Sequence, residues 1–327
     1  MRVSVRVSRP GIALVTVLLA VTGCAGQGTQ TGPSPEQLAG GTIAKQVNLT
    51  GVRLTVGSKE FTEQQILGKI TVYALRAAGA EVTDQTGLSG SNIVRTALQN
   101  KQIDLYWEYA GTGWSLFLKH TDVIPDAVQQ FHATAAEDLA HNQIRWVGPA
   151  AFGNQYAVAR RSDTTGPLAG VHTLSDMARY VNANPEQGSF CGAAEFLDRD
   201  FIGMQEAYGL RFPAPLTYQN AFALNFVNVA KSSPCNFAEV FTTDARLNSL
   251  NLTVLADDKK FFLSQLAGLV MREQTYQQHP DLAKLATMLG AKLTEPTMIE
   301  LNGLVDLQGQ SADQAALEFL HANGFIG

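Results

Sequence analysis

Residues 103–113 read IDLYWEYAGTG, and the change of character along this stretch decides the fold class. Ile103-Asp104-Leu105-Tyr106 alternates as a short strand does, and Ala110-Gly111-Thr112-Gly113 then supplies the small residues of a sharp turn that opens a helix. Rings leaving such a turn are aimed into whatever hollow lies beyond the strand end. An aromatic face carries a negative quadrupole, so several rings around a hollow hold a cation that has no hydrogen to donate, such as a quaternary ammonium. Taken alone, the pattern also fits Tyr106, Trp107 and Tyr109 as strand-end core residues.

Working outward, the same strand, loop and helix unit recurs on the N-terminal side. Residues 52–56 alternate as a strand, Gly57-Ser58-Lys59-Glu60-Phe61 breaks it, and Thr62 with Gln65 predicts a capping box. Ile66, Ile70, Tyr73, Ala74 and Ala77 then share one helical face, and Gly79 suits the position just past the helix end. Such a loop lies where open α/β sheets bind ligands, outside the carboxyl ends of the strands. A second unit runs from residues 81–83 through Gly87-Leu88-Ser89-Gly90-Ser91 into a helix over 92–98, with Ser89 or Ser91 as its N-cap. That loop lacks the GxxxxGK[ST] pattern of a phosphate cradle.

Towards the C-terminus, residues 122–141 read as a helix and 144–147 as a strand, and from Phe152 the pattern restarts. Strands are predicted at 156–159, 189–192, 237–241 and 252–255, with helical spacing at 173–182, 195–200, 203–208 and 220–228 and an amphipathic helical tail over 281–320. This alternation means α/β with mostly parallel sheet, and the restart near residue 151 suggests two lobes.

The N-terminus reads as a targeting segment. Arg2, Arg6 and Arg9 precede an apolar run at 11–21, and Val21-Thr22-Gly23-Cys24 places small residues before a cysteine. That order resembles a bacterial lipobox, whose maturation cuts before Cys24 and acylates it; an ordinary cleaved signal peptide is the alternative. The run falls short of the roughly 20 residues that span a bilayer. A stretch rich in Gly, Gln, Thr, Ser and Pro follows and reads as a flexible tether. The remaining chain, about 280 residues from Leu49, suffices for two ordinary domains. A net charge of -5 and a pI of 5.7 argue against a nucleic-acid partner. With Cys24 lipidated, the other two of three cysteines, Cys191 and Cys235, are expected to pair in an exported protein. No catalytic or metal-binding constellation is evident. The six histidines have no ligand spacing, no GxSxG elbow is present, and Asp198 with Asp200 and Asp257 with Asp258 read as solvated charges.

Gly57-Ser58-Lys59-Glu60-Phe61-Thr62-Glu63-Gln64 and, further on, Asp104-Leu105-Tyr106-Trp107-Glu108-Tyr109-Ala110-Gly111-Thr112 together resemble the ProX type of ABC-importer substrate-binding proteins for glycine betaine, choline and carnitine. Asn154-Gln155-Tyr156-Ala157, Glu195-Phe196-Leu197-Asp198-Arg199, Thr242-Thr243-Asp244-Ala245-Arg246, Asp257-Asp258-Lys259-Lys260-Phe261-Phe262 and Leu301-Asn302 extend the resemblance to the C-terminus.

The resemblance implies a bilobal type II periplasmic-binding-protein fold, two α/β lobes joined by two hinge strands. Lobe one is then expected at 49–150 with 251–327 and lobe two at 151–250, after a signal peptide at 1–23 and a tether at 24–48. Carried over residue by residue, Tyr109 and Tyr156 look like cage aromatics. Lys59 and Thr112 resemble first-lobe residues that fix the ligand's polar end, and Glu195 with Arg199 a second-lobe pair, Arg199 offering a planar fork to a carboxylate. Phe241 stands where the family often has tyrosine, Ala110 replaces the usual threonine, and 262–266 lacks another tyrosine, so Ser264 or Gln265 would meet neutral groups instead. The expected partners are a small solute, the membrane permease with its ATPase, and the membrane itself through lipid on Cys24. The protein is expected to act as a monomer without metal or cofactor. The rival expectations are a flat, hydroxylated solute, a sensory or cell-wall lipoprotein without transport, and an enzyme on the same scaffold, for which nucleophile and base are not displayed.

Overall fold

β1 (Arg53–Lys59) starts the first sheet, and Gly57 on it is required by packing: a Cβ there would lie 2.5 Å from Ile103 Cδ1. The structure, a computed structural model, describes residue 33, residues 35–263 and residues 266–327. The stretch expected as a signal peptide, Cys24, Ser264 and Gln265 therefore lie outside the described residues.

β2 (Glu81–Leu88) and β3 (Leu105–Tyr109) flank β1 in parallel, while β10 (Ala267–Arg272) enters antiparallel between β3 and β4 (Ile144–Val147), giving the order β2-β1-β3-β10-β4. The second sheet repeats this plan. β5 (Tyr156–Arg161) runs antiparallel to β8 (Phe237–Phe241) and β9 (Leu252–Val254), and β6 (Phe190–Gly192) is parallel to β7 (Thr217–Gln219) and β8. Both sheets are thus mixed, not mostly parallel. β5 and β10 are the strands that receive the chain from the other sheet, and each enters antiparallel. The two crossings meet at a bridge between Gly153 and Leu266, and Gln155 Nε2 donates to the Phe262 carbonyl at 2.8 Å.

Helix Thr62–Ala77 covers the first sheet with Ile66, Leu67, Ile70, Val72 and Leu75 fully buried, and Trp107 beneath it donates Nε1–H to Thr71 Oγ1 at 2.8 Å. The expected capping box is absent. Phe61 is the N-cap, Thr62 Oγ1 donates to Asp306 Oδ1 at 2.7 Å, and Gln65 turns back to the Glu60 carbonyl. A long-range partner takes the Thr62 hydroxyl and a neighbouring carbonyl takes the Gln65 amide, so the reciprocal cap does not form. Helix Ser91–Gln99 likewise starts from Gly90, at φ 82°, so neither Ser89 nor Ser91 caps it.

Two boundaries move. Residues 35–48, expected as tether, hold helices Pro35–Leu38 and Thr42–Gln46, and Leu38, Ile43 and Val47 are buried in the first core. Thr42 N and Ile43 N donate to the carbonyls of Gly324 and Phe325, pinning this segment to the C-terminus. Composition marked the stretch as polar, but three well-placed apolar residues suffice to dock it. At the other boundary β9 stays in the second sheet, and Leu255 and Phe262 join that core, so the chain returns to the first sheet after these residues and not at residue 251.

Cys191 and Cys235 form a disulfide with a sequence separation of 44, tying β6 to the segment before β8. The loop-entropy treatment credits such a closure with roughly 4 kcal/mol. Replacing both cysteines with alanine is expected to lower unfolding stability by about that amount in urea; an unchanged midpoint would show that the bridge contributes nothing.

Candidate functional site

The carboxyl ends of β1, β3, β6 and β8 open onto one cleft of 620 Å³, the position that strand-end chemistry favours in open α/β sheets. β1 delivers Lys59 and then Phe61 and Glu63 at the start of its helix, and β3 delivers Tyr109. From the second sheet come Tyr156 at the start of β5, Ala193 and Glu195 after β6, Glu239 and Phe241 on β8, and Phe222 at the start of helix Phe222–Ala230.

Five rings converge. Phe241 lies 5.2 Å from Phe61, 4.8 Å from Tyr156 and 4.6 Å from Phe222 between centroids, and Phe61 faces Tyr109 at 6.4 Å with planes 19° apart. The rings of the first lobe therefore meet those of the second. Phe61 and Phe222 escaped the sequence reading as cage residues. Phe61 sat inside the quoted Gly57 to Gln64 motif, so a signal existed, whereas Phe222 is brought in only by its helix.

Beneath the rings is a buried carboxylate that was also missed. Glu63 accepts from Tyr109 Oη at 2.6 Å, Asn154 Nδ2 at 2.9 Å, Thr243 Oγ1 at 2.6 Å and Asn302 Nδ2 at 3.2 Å. Its burial raises the carboxyl above its ordinary range, although all four donors act to lower it. The four partners come from both lobes and the first crossing, so Glu63 orients the Tyr109 ring and fastens one lobe to the other.

Lys59 is 4% exposed and donates Nζ to Glu108 Oε1 at 2.6 Å, lying 5.1 Å from the Tyr109 ring centroid. Thr112 lines the cleft from the short helix Ala110–Thr112. Glu195 reaches across to the first lobe, accepting from Ser91 N at 3.2 Å and Ser91 Oγ at 2.9 Å. Burial acts to raise the Glu195 carboxyl, but the Lys59 and Arg199 charges and the Ser91 bonds outweigh it and hold the group below its usual range. Arg199 is placed differently from expectation. It does not line the cleft; it backs Tyr156 at 5.1 Å and is committed to Glu195 at 3.0 Å and Asp200 at 2.7 Å. Its fork steadies a cage ring instead of facing the cleft.

The family of substrate-binding domains of ABC-type glycine betaine transport systems matches residues 52–322. This chain belongs to that family. A family relative, the glycine-betaine-binding protein of Pseudomonas aeruginosa, is 35% identical over 280 residues, covering 84% of this chain and 88% of its own length. The ergothioneine transport permease/ergothioneine binding protein EgtU of Helicobacter pylori is 30% identical over 274 residues, 83% of this chain and 48% of its own length, so the chain spans about half of that protein. Apo YehZ from Escherichia coli superposes with a TM-score of 0.62 at 26% identity, over 84% of this chain and 99% of the other. The two-sheet architecture is the bilobal type II periplasmic-binding fold of this family.

Proposed function

We propose that this protein is the extracytoplasmic solute-binding component of an ABC importer, and that it captures a quaternary ammonium osmoprotectant, glycine betaine, choline or carnitine, between its lobes and delivers it to the permease. The convergence of Phe61 and Tyr109 from one lobe with Tyr156, Phe222 and Phe241 from the other carries this reading. A quaternary ammonium offers no N–H, so ring faces and nearby carboxylates are the groups that hold it, at about 0.5–2 kcal/mol per ring once water is excluded. Closing the lobes over the ligand expels that water and creates the surface a permease recognises. Lipid on Cys24 holds the binder beside the permease. Among the described residues no helix is long and apolar enough to cross a membrane. The protein acts as a monomer and needs no metal or cofactor.

Isothermal titration against glycine betaine, choline and carnitine, with neutral aromatic polyols alongside, tests the reading. Saturable heat is expected from at least one quaternary ammonium and none from the polyols. Heat from the polyols alone would overturn the ligand class and leave a role in transport of a flat, neutral solute.

A further inference from the structure

Glu239 is an acid of the cleft wall whose role the cage does not explain. It sits on β8 two residues before Phe241, so its side chain emerges on the same face as that ring, about 7 Å away along the strand. It lines the cleft and is 1% exposed. Oε2 accepts from Ala193 N at 2.6 Å and Asn225 Nδ2 at 3.2 Å, whereas Oε1 accepts from no described residue, and no described Lys, Arg or His forms an ion pair with the group. Strand alternation would put an apolar residue here, between Phe237 and Phe241.

Among the described amides lining the rest of the wall, unpartnered acceptors outnumber unpartnered donors. Asn154 and Asn302 both give their amide nitrogens to Glu63, which fixes their orientation, and each Oδ1 is left buried without a partner among the described residues. The basic side chains that line the cleft are already engaged, Lys59 with Glu108 and Arg246 with Asp244, and Arg199 behind Tyr156 is held by Glu195 and Asp200. Asn220 Nδ2 is the one buried side-chain amide donor of the described lining residues left without a partner, so a ligand carboxylate finds a single neutral donor there or must break one of these pairs, while a ligand hydroxyl or N–H finds Glu239 Oε1 and the Asn154 and Asn302 Oδ1 atoms as acceptors.

We propose, on the quaternary ammonium reading above, that Glu239 is a specificity-determining residue that accepts a hydrogen bond from a donor group at the polar end of the ligand, so that the cleft prefers a hydroxyl- or N–H-bearing quaternary ammonium over one that ends in a carboxylate alone.

Burial raises Glu239 to about 8, with Glu195 and Asp200 adding to that rise and the Ala193 amide and Arg199 opposing it. Tyr156, on the neighbouring strand, is itself raised by burial first and by the Glu239 charge among lesser causes. To accept from a cation's hydroxyl the carboxyl must lose its proton, so choline binding releases a proton below about pH 8. Choline affinity therefore rises as pH increases towards that value and levels off above it, by up to about tenfold per unit. Glycine betaine, with a carboxylate facing an ionising acid, shows a flat or falling profile.

The test is calorimetric titration of the purified protein with choline and with glycine betaine between pH 6 and 9, repeated with Glu239→Gln and Glu239→Asp. Tighter choline binding with a rising pH profile that Glu239→Gln flattens supports the proposal. Tighter glycine betaine binding that weakens with rising pH, and loses this dependence in Glu239→Gln, would show the protonated acid donating to a carboxylate and overturns it. Profiles and affinities unchanged by either substitution overturn it as well. The wild-type profiles decide the matter even if a variant does not fold. Absence of binding by both ligands in the wild type removes the quaternary ammonium reading itself, which is a different result from binding with the wrong preference.

Discussion

Replacing Tyr109 and Tyr156 together with alanine is expected to weaken quaternary ammonium binding by about 4 kcal/mol, roughly a thousandfold, since each desolvated ring face contributes about 2 kcal/mol. The two rings stand on opposite lobes, Tyr109 against Phe61 at 6.4 Å and Tyr156 against Phe241 at 4.8 Å, so their loss removes attraction from both sides of the ligand. Both rings also have partners within the protein itself. Tyr109 Oη donates to Glu63 at 2.6 Å, and Arg199 lies 5.1 Å from the Tyr156 centroid. Each position therefore also needs phenylalanine, which keeps the face and drops the hydroxyl. Tyr156→Phe is expected to bind within a few-fold of wild type, whereas Tyr109→Phe loses more because Glu63 gives up one of four donors. Titration calorimetry checks the affinities and circular dichroism the fold. Should the double alanine variant stay folded and bind within threefold of wild type, the cage assignment is wrong.

The second large effect concerns stability. Lys59→Met is expected to cost about 3–5 kcal/mol, because it leaves a buried carboxylate without its cation. Glu108 has no exposed surface and accepts from Lys59 Nζ at 2.6 Å, Tyr106 Oη at 3.0 Å and Tyr109 N at 2.8 Å. With the lysine gone, the two neutral donors remain but no charge balances the carboxylate. Changing both members, Lys59→Met with Glu108→Gln, is expected to recover most of the loss, since no isolated charge is then buried. Urea denaturation of the two single variants and the double variant measures the coupling. Additive effects would show that the pair is not the cause.

The same pair explains why Lys59 reads differently in sequence and in structure. In the chain it stands in a loop and looks available to a ligand's polar end, yet Glu108 on β3 claims it. Arg199 meets the same fate through Asp200 and Glu195. A sequence displays charges but not their partners, and a low-dielectric interior makes a buried cation take the nearest carboxylate. Among the focal rings, Tyr106 and Trp107 turn inward, to Glu108 and Thr71, and only Tyr109 lines the cleft. The core reading of that stretch therefore holds for Tyr106 and Trp107, while Tyr109 faces the cleft. Phe61 and Glu63 were in view inside a quoted motif, but their roles depend on partners such as Phe241, Thr243 and Asn302 that are distant in the chain.

What the sequence determined by itself was the local grammar. Alternation, small-residue turns and helical faces specify strand–turn–helix units one at a time, because their periods and backbone preferences are local, and the ordered motifs identify the family. Tertiary structure decided the rest. The antiparallel entry of β5 and β10, the docking of 35–48, the pairing of Lys59 with Glu108 and the meeting of five rings around Glu63 and Glu239 all depend on burial shared between segments far apart in sequence. Desolvation, which sets the strength of each of those contacts, exists only once the chain has closed around them.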